Sequence, residues 1–543
     1  MKEYHQPNIN PGIKAMTIRF YRPHKSISLA LVGFATFPLF ANSIKEQTKK
    51  PNILFIAVDD LKPWVSAYGD KHAKTPGMDR LAREGVVFQN SYCQQAICAA
   101  TRASLLLGMR PDKTRVWDLV TDFRQVNPNA VTLPQYFKSM GYETTGMGKI
   151  YHMGSTGPGH DAPSWSIPYR DPKCPTYALP DGINGRGKGK ATECADVPDD
   201  TYHDGKMTGI AIGMLDSLSQ GKKPLFLAVG FLKPHLPFVA PKKYWDLYKR
   251  DEFELAPYQE KAKNSPDVAY HVSGELKSYT DIPQFDSYSE NELDHLPADK
   301  QRELIHGYYA AMSYTDAQIV QLLNELDRLD IRKNTIIVLW GDHGWHLGDH
   351  GLWNKHTNFE QATHTLLMMS IPGKKAGIKP VAICEFVDVF PTLCDLADLP
   401  IPEYLDGISL VPAINQPDTQ IKEYAMSQYP RGKDIMGYSI RTGRFRYTEW
   451  LSDMYRTNMP YNSKFVMGRE MYDYEKDPLE KESILDKPEY RKDKEKMERL
   501  FGECIQREYQ QCSQYSKLAD YNNPIITTVK KGKGKNKLKA KVK

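Results

Sequence analysis

With 543 residues, 41 % of them hydrophobic and 25 % charged, the chain is longer than one ordinary core and has the composition of a soluble globular protein. Two unequal domains are expected, and a largely disordered or membrane-embedded chain is excluded. The formal net charge of +6 is misleading, because the last fourteen residues, Lys530 to Lys543, hold eight lysines and no acid. The basic character is therefore a tail and not a nucleic-acid footprint, and no nucleic-acid partner is expected.

Taken in chain order, the first feature is Arg19, Arg22 and Lys25 ahead of a short apolar stretch, Ile27 to Ala41. This reads as a secretory signal peptide over 1–41, too short and wrongly flanked for a stable membrane span; an uncleaved anchor is the alternative. No cysteine follows it directly, so no lipoprotein anchor is expected. Pro51 to Val58 is a branched apolar run ending in Asp59-Asp60, the pattern of a buried strand. Thr75 to Glu84 and Thr132 to Met140 read as helices. Residues 154–200 and 255–300, rich in Gly, Pro, Asp and Ser, read as long surface loops that shape access to a site. Ala317 to Leu329 places Ile319, Leu322, Leu323, Leu326 and Leu329 on one helical face, just before a second apolar run, Thr335 to Trp340. Repetition of this order predicts an α/β fold with a largely parallel sheet covered on both faces. A boundary is expected near Tyr429-Pro430-Arg431, giving a catalytic domain over 51–431. Beyond it, strands over Tyr438 to Trp450 and a helix over Pro488 to Cys504 predict a small α+β domain over 432–515. The lysine-rich end, 516–543, cannot build a core and is read as a solvated tail.

Two places carry chemistry. The run Thr335 to Trp340 ends in Gly341-Asp342-His343-Gly344, so two strands end in acidic residues and together offer three carboxylates to one hard cation. Carboxylate oxygens favour Ca²⁺ or Mg²⁺, although each acidic tip alone is also a common turn. Between them lies Cys98-Ala-Ala-Thr-Arg102, closed by Gly108. The pattern resembles the one carried by sulfatases that oxidise this cysteine to formylglycine, and the resemblance implies a hydrate with two hydroxyls: one attacks sulfur, and the other later expels sulfate. A buried structural thiol would present the same residue.

Seven ordered segments then resemble the formylglycine-dependent sulfatases, and within them the iduronate-2-sulfatase-like branch. They are Asn52 to Asp60, Cys98 to Arg102, Gly148-Lys149-Ile-Tyr-His152, Lys233-Pro-His235, Gly341 to Gly351 with Lys355, Met436 to Thr442, and Met471 to Pro478. The resemblance implies an alkaline-phosphatase-like sandwich. It implies that Asp59, Asp60, Asp342 and His343 hold calcium, or magnesium, together with Cys98 modified to formylglycine. It further implies that Arg102 steadies the hydrate, Lys149 and Lys355 clamp the sulfate, His152 acts on the hydrate hydroxyl, and His235 faces the leaving oxygen. The physics agrees: a sulfate monoester is an anion attacked by an anion, so cations and a metal supply most of the rate enhancement.

The implied substrate is a sulfated oligosaccharide or polysaccharide, desulfated at a 2-O position, with an algal source such as ulvan expected ahead of a glycosaminoglycan. The implied partner is a formylglycine-generating or anaerobic sulfatase-maturating enzyme. A phosphate or phosphonate monoester hydrolase of the same superfamily and a non-enzymatic polysaccharide-binding protein are the competing readings. His346 and His356 depart from the family pattern, and both are expected near the sugar. Among eight cysteines, Cys174–Cys194 is the expected disulfide and Cys504–Cys512 the next; Cys93, Cys384 and Cys394 are expected free. No Asn-x-Ser/Thr sequon occurs, which points to a bacterial periplasmic or secreted protein.

Overall fold

The computed structural model describes residues 50–518 except 154, 155, 157–159, 181, 183–187, 290, 292, 293 and 458. The apolar leader and the lysine-rich tail lie outside the described residues. Among those described, no helix is long and apolar enough to cross a membrane.

The centre is a six-stranded sheet, in the spatial order Val86–Val87, Leu367–Ser370, Thr335–Gly341, Asn52–Val58, Leu225–Phe231 and Glu143–Gly148. The last four strands of that order run parallel, and Leu367–Ser370 runs antiparallel to Thr335–Gly341. Successive side chains alternate between faces. Ile53, Phe55 and Ala57 join Phe226, Val338 and Trp340 in one core. Leu54, Ile56 and Val58 join Leu227, Val229 and Leu339 in the other. The helices Cys98–Leu107, Leu133–Ser139 and Val389–Leu396 cover the first face. Pro76–Glu84, His203–Ser219 and Ala298–Arg328 cover the second. Both faces are dry, which is why these strands are unbroken apolar runs.

The register levels the strand tips. Val58 pairs with Phe231 on one side and Gly341 on the other, and Gly148 pairs with Gly230. Asp59, Lys149 and Asp342 thus emerge side by side at the carboxyl ends, where open α/β sheets bind ligands.

Four strands, Ala425–Arg431, Ile435–Arg441, Phe445–Leu451 and Val466–Asp473, form a second, antiparallel sheet. Against it packs the helix Arg491–Leu518, through Met497, Leu500, Phe501 and Ile505. Tyr429-Pro430-Arg431, expected at a boundary, instead lies inside the first of these strands. That strand is at the sheet edge, where a proline costs no ladder bond. The helix expected from Ala317 begins at Ala298. From Leu304 to Asp316 every residue of it is buried, so no polar stripe marks its period.

All eight cysteines are free thiols. On the strand Thr192–Ala195 the pleat turns Cys194 to solvent while Glu193 and Ala195 point inward, and Cys174 does not reach it. Cys504 and Cys512 share one helix, where eight residues span about 12 Å, beyond the reach of a disulfide.

Candidate active site at the strand tips

Asp59 and Asp60 follow the central strand and are fully buried, as is Asp342 after its neighbour. Asp60 adopts a left-handed backbone, φ 57°, unusual for a residue other than glycine. Two bonds hold it there: its N–H donates to Asp342 Oδ1 at 2.9 Å, and its carbonyl accepts from Tyr308 Oη at 2.7 Å. Strain fixed by surrounding bonds is characteristic of functional positions.

Cys98 is the first residue of the helix Cys98–Leu107, and it is 1 % exposed. Its Sγ lies 3.3 Å from His343 Nε2 and 3.8 Å from Asp60 Oδ1. One turn along, Arg102 donates to Asp342 Oδ2 at 2.9 Å and to Asp59 Oδ1 at 3.0 Å, and also to the Lys149 carbonyl. It ties both acidic tips to the nucleophile helix. Lys149 pairs with Asp59, and Lys355 reaches both Asp60 oxygens at 3.0 and 3.1 Å. Gly148, at φ 70°, is required for this: a Cβ there would stand 2.1 Å from the Gly230 carbonyl.

His343 Nδ1 donates to the Gly344 carbonyl at 2.9 Å, so its Nε2 carries the lone pair that faces Cys98 and Asp60. His235 Nδ1 likewise donates to the Leu236 carbonyl at 2.6 Å, and its Nε2 lies 3.4 Å from Glu275 and 3.7 Å from Asp60. His152 stands on the wall of a cavity of about 630 Å³ above these groups, with Lys149, His235, Lys233, Lys188 and Tyr279.

The charges are interdependent. Burial pushes the Asp60 carboxyl well up, and Asp59, Glu275 and Asp342 add to that while Lys355 opposes it. Burial acts the same way on Asp59, yet Lys149, His235 and Arg102 hold it well below the usual range. Burial, then Asp59, pushes the Cys98 thiol well up, so an unmodified Cys98 stays protonated. Burial and Lys149 bring His152 down to about 4, a neutral imidazole at physiological pH.

Two sets of ligand atoms cluster within 4.8 Å: Asp59, Asp60, Cys98 and His235, and Cys98, Asp342 and His343. Three dry carboxylates crowding one point, with an imidazole lone pair beside them, fit a hard divalent cation. The structure therefore brings all ten expected site residues to one end of the sheet and adds His235 to the groups within reach of a metal. Glu275, on the short helix Gly274–Lys277, is a further member that pairs with Lys355 at 3.1 Å. It lies in a stretch read as a loop, and no motif marks it. His356 is near enough to Glu275 for its charge to help hold that carboxyl down. His346 is fully buried and bonds Thr357 at 2.9 Å.

Cationic side chains around a carboxylate cluster on parallel strand tips suit a hydrolase that acts on esters of strong acids. Residues 51–399 match the family described as Sulfatase, and residues 348–507 match N-sulphoglucosamine sulphohydrolase, C-terminal. Iduronate 2-sulfatase of Homo sapiens is 35 % identical over 500 residues, covering 79 % of this chain and 90 % of the relative. The ulvan-active sulfatase of Formosa agariphila is 26 % identical, covering 92 % and 91 %. A solved structure in complex with D-glucosamine-2-N,6-O-disulfate superposes with a TM-score of 0.68 at 22 % identity, covering 85 % of this chain and 98 % of that one. The chain belongs to the sulfatase family. It is an enzyme that hydrolyses sulfate esters, and its fold is that of its structural neighbours.

Proposed function

We propose that this chain is an exported bacterial sulfatase that removes a 2-O-sulfate from a sugar of a sulfated polysaccharide or its oligosaccharides. The observation that carries the reading is Cys98 itself, sealed at a helix N-terminus between His343 and Asp60, with Lys149 and Lys355 on the flanking acids. Conversion of Cys98 to formylglycine, by a maturating enzyme, would supply a hydroxyl nucleophile at that point. A calcium or magnesium ion held by Asp59, Asp60, Asp342 and His343 would neutralise sulfate oxygens and sharpen that nucleophile.

The chain's own residues do the rest. Arg102 fixes the acidic tips relative to the helix that carries Cys98. Lys149 and Lys355, each anchored on a carboxylate, turn their remaining protons to the sulfate. His152, neutral, accepts a proton from the hydrate; His235 presents Nε2 to the departing sugar oxygen and, once protonated there, delivers that proton. The 2-O position and the sugar are supported by the iduronate relative. The ulvan-active relative keeps an algal source in the reading, at lower identity. Export is supported by the basic and apolar pattern of residues 19–41.

The test is an aryl sulfate against the matching aryl phosphate, for the wild type and Cys98→Ser, with mass analysis of the Cys98 peptide. Sulfate turnover that is lost in Cys98→Ser, with an aldehyde in the wild-type peptide, is the expected result. Preference for the phosphate, or full activity in Cys98→Ser, would overturn it.

A further inference from the structure

The backbone around Lys355 is held in an unusual shape. Asn354 before it has φ 101° and His356 after it has φ 64°, positive values that few residues other than glycine adopt. Such strain persists only where surrounding bonds over-determine it. Many of those bonds come from a short segment far off in sequence, His271 to Glu275. His271 Nε2 donates to the Lys355 carbonyl at 2.9 Å. Its Nδ1 accepts from the Ser273 N–H at 2.9 Å, which fixes the tautomer. Ser273 Oγ accepts from the Trp353 N–H at 3.0 Å. Further along, the His356 N–H donates to the Ala96 carbonyl at 3.2 Å, and the His356 carbonyl accepts from Arg431 at 2.7 Å.

The same segment reaches the ammonium. Glu275 Oε2 lies 3.1 Å from Lys355 Nζ, and Asp60 Oδ2 lies 3.0 Å from it. The ring centre of Trp345 is 4.6 Å from Nζ. Glu275 Oε1 lies 3.4 Å from His235 Nε2. Glu275 is in neither cluster of candidate metal ligands. A carboxylate beside a site for an anion repels the ligand, so it is expected there only where it orders a cation that the ligand needs.

We propose that His271 and Glu275 are positioning residues for Lys355: the imidazole fixes the lysine's carbonyl, the carboxylate fixes its ammonium, and the sulfate meets a charge already in place. A lysine side chain is a point charge on a flexible four-carbon stem. Held from both ends, it reaches the sulfate without first being ordered, which is what a pre-arranged electrostatic site requires. The inference rests on the sulfatase reading and deepens it by naming what places one of its cations.

The test reads the binding of inorganic sulfate, which has no leaving group and is therefore blind to the proton that His235 delivers. Calorimetry follows it in calcium-containing buffer, and KM and kcat for an aryl sulfate are measured beside it. Glu275→Ala should weaken sulfate binding ~10-fold or more and raise KM in step, with kcat changed less. Glu275→Gln, which keeps an oxygen on the ammonium, should restore most of it. In protein that already carries Lys355→Ala, adding Glu275→Ala should weaken binding no further, because a residue that acts only through another is not additive with it. His271→Phe, which keeps a ring and loses the bond, should weaken binding in the same direction, and it decides the matter if Glu275→Ala does not fold. Unchanged sulfate affinity in the folded Glu275→Ala and His271→Phe proteins overturns the proposal. Tighter binding in both Glu275 variants, the result of losing a repelling charge, also overturns it, as does a full additive loss in the double variant. If Lys355→Ala itself leaves sulfate affinity unchanged, the assignment of Lys355 to the sulfate falls, and the proposal falls with it. Absence of aryl sulfate turnover in the wild type would overturn the sulfatase reading instead.

Discussion

At the scale of single residues, the duties proposed for His152 and His235 are separable. An activated aryl sulfate releases a phenolate that needs little proton assistance, whereas a sugar alkoxide needs much, and general acid catalysis is typically worth ~10²–10⁴-fold. His235→Ala should therefore reduce sugar-sulfate hydrolysis by about that factor and aryl-sulfate hydrolysis far less. His152→Ala should reduce both together, since every turnover passes through the same hydrate. The ratio of the two activities in each variant is the measurement; equal losses in His235→Ala would move the acid role to Lys355. A different histidine governs stability. His203 lies between Asp171, at 2.8 Å, and Asp204, at 3.1 Å. Burial works against its charge, but those two hydrogen bonds carry its pKa up to about 9. A folded pKa above the unfolded one gives stability that is complete below about pH 6.5 and lost as pH rises through about 9. Melting curves of wild type and His203→Gln should thus diverge most at pH 6 and converge above pH 9, with a gap on the order of 2–3 kcal/mol. A constant gap across that range would refute the assignment.

Between elements, the main fastening lies behind the nucleophile helix. Arg110, two residues past Gly108, grips Glu385 at 2.6 and 2.8 Å and Glu508 at 3.1 Å, so it joins that helix to the C-terminal helix. Removing one partner of a buried ion pair costs about 3–5 kcal/mol where the other is left unpaired; here Lys422 still holds Glu385 at 2.9 Å, so Glu508 is the group that loses its cation. Arg110→Ala should lower the denaturant midpoint accordingly while folded protein keeps its turnover; a loss below about 1 kcal/mol would show the network to be redundant. These elements were legible in the sequence to very different degrees. The apolar runs at Pro51 and Thr335 are visible because both sheet faces are dry, and their acidic tips follow directly. The N-terminal half of the helix Ala298–Arg328 is hidden by the same dryness, for an all-round buried helix has no amphipathic signal. Pro430 misleads because a proline at a sheet edge looks like a break.

For the whole molecule, metal and fold should be linked. Three carboxylates with no exposure meet at the strand tips, so a bound divalent cation stabilises the folded state by mass action, ~2.7 kcal/mol at a hundredfold excess over its dissociation constant. Calcium or magnesium should raise the melting temperature of chelator-treated protein, and elemental analysis should find one of them. Stoichiometric zinc would contradict the oxygen-rich reading. At this scale the residues that gather at the strand tips were readable, because seven short motifs keep their order along the chain. Glu275 was not, because it comes from a segment without periodicity and only folding sets it against Lys355.

The burial of Cys98 also sets a timetable. At 1 % exposure it is out of reach of any modifying enzyme once the sheet has closed over it. His343, which helps to seal it, lies 245 residues further along the chain. At ribosomal rates of ~5–20 residues per second, that separation leaves roughly ten to fifty seconds in which the thiol has emerged and its lid has not yet been made. The proposed aldehyde must be installed in that interval or on a chain kept unfolded. Native protein purified with an intact thiol should therefore resist maturation in vitro, and the denatured chain or a short peptide spanning Cys98 to Gly108 should accept it.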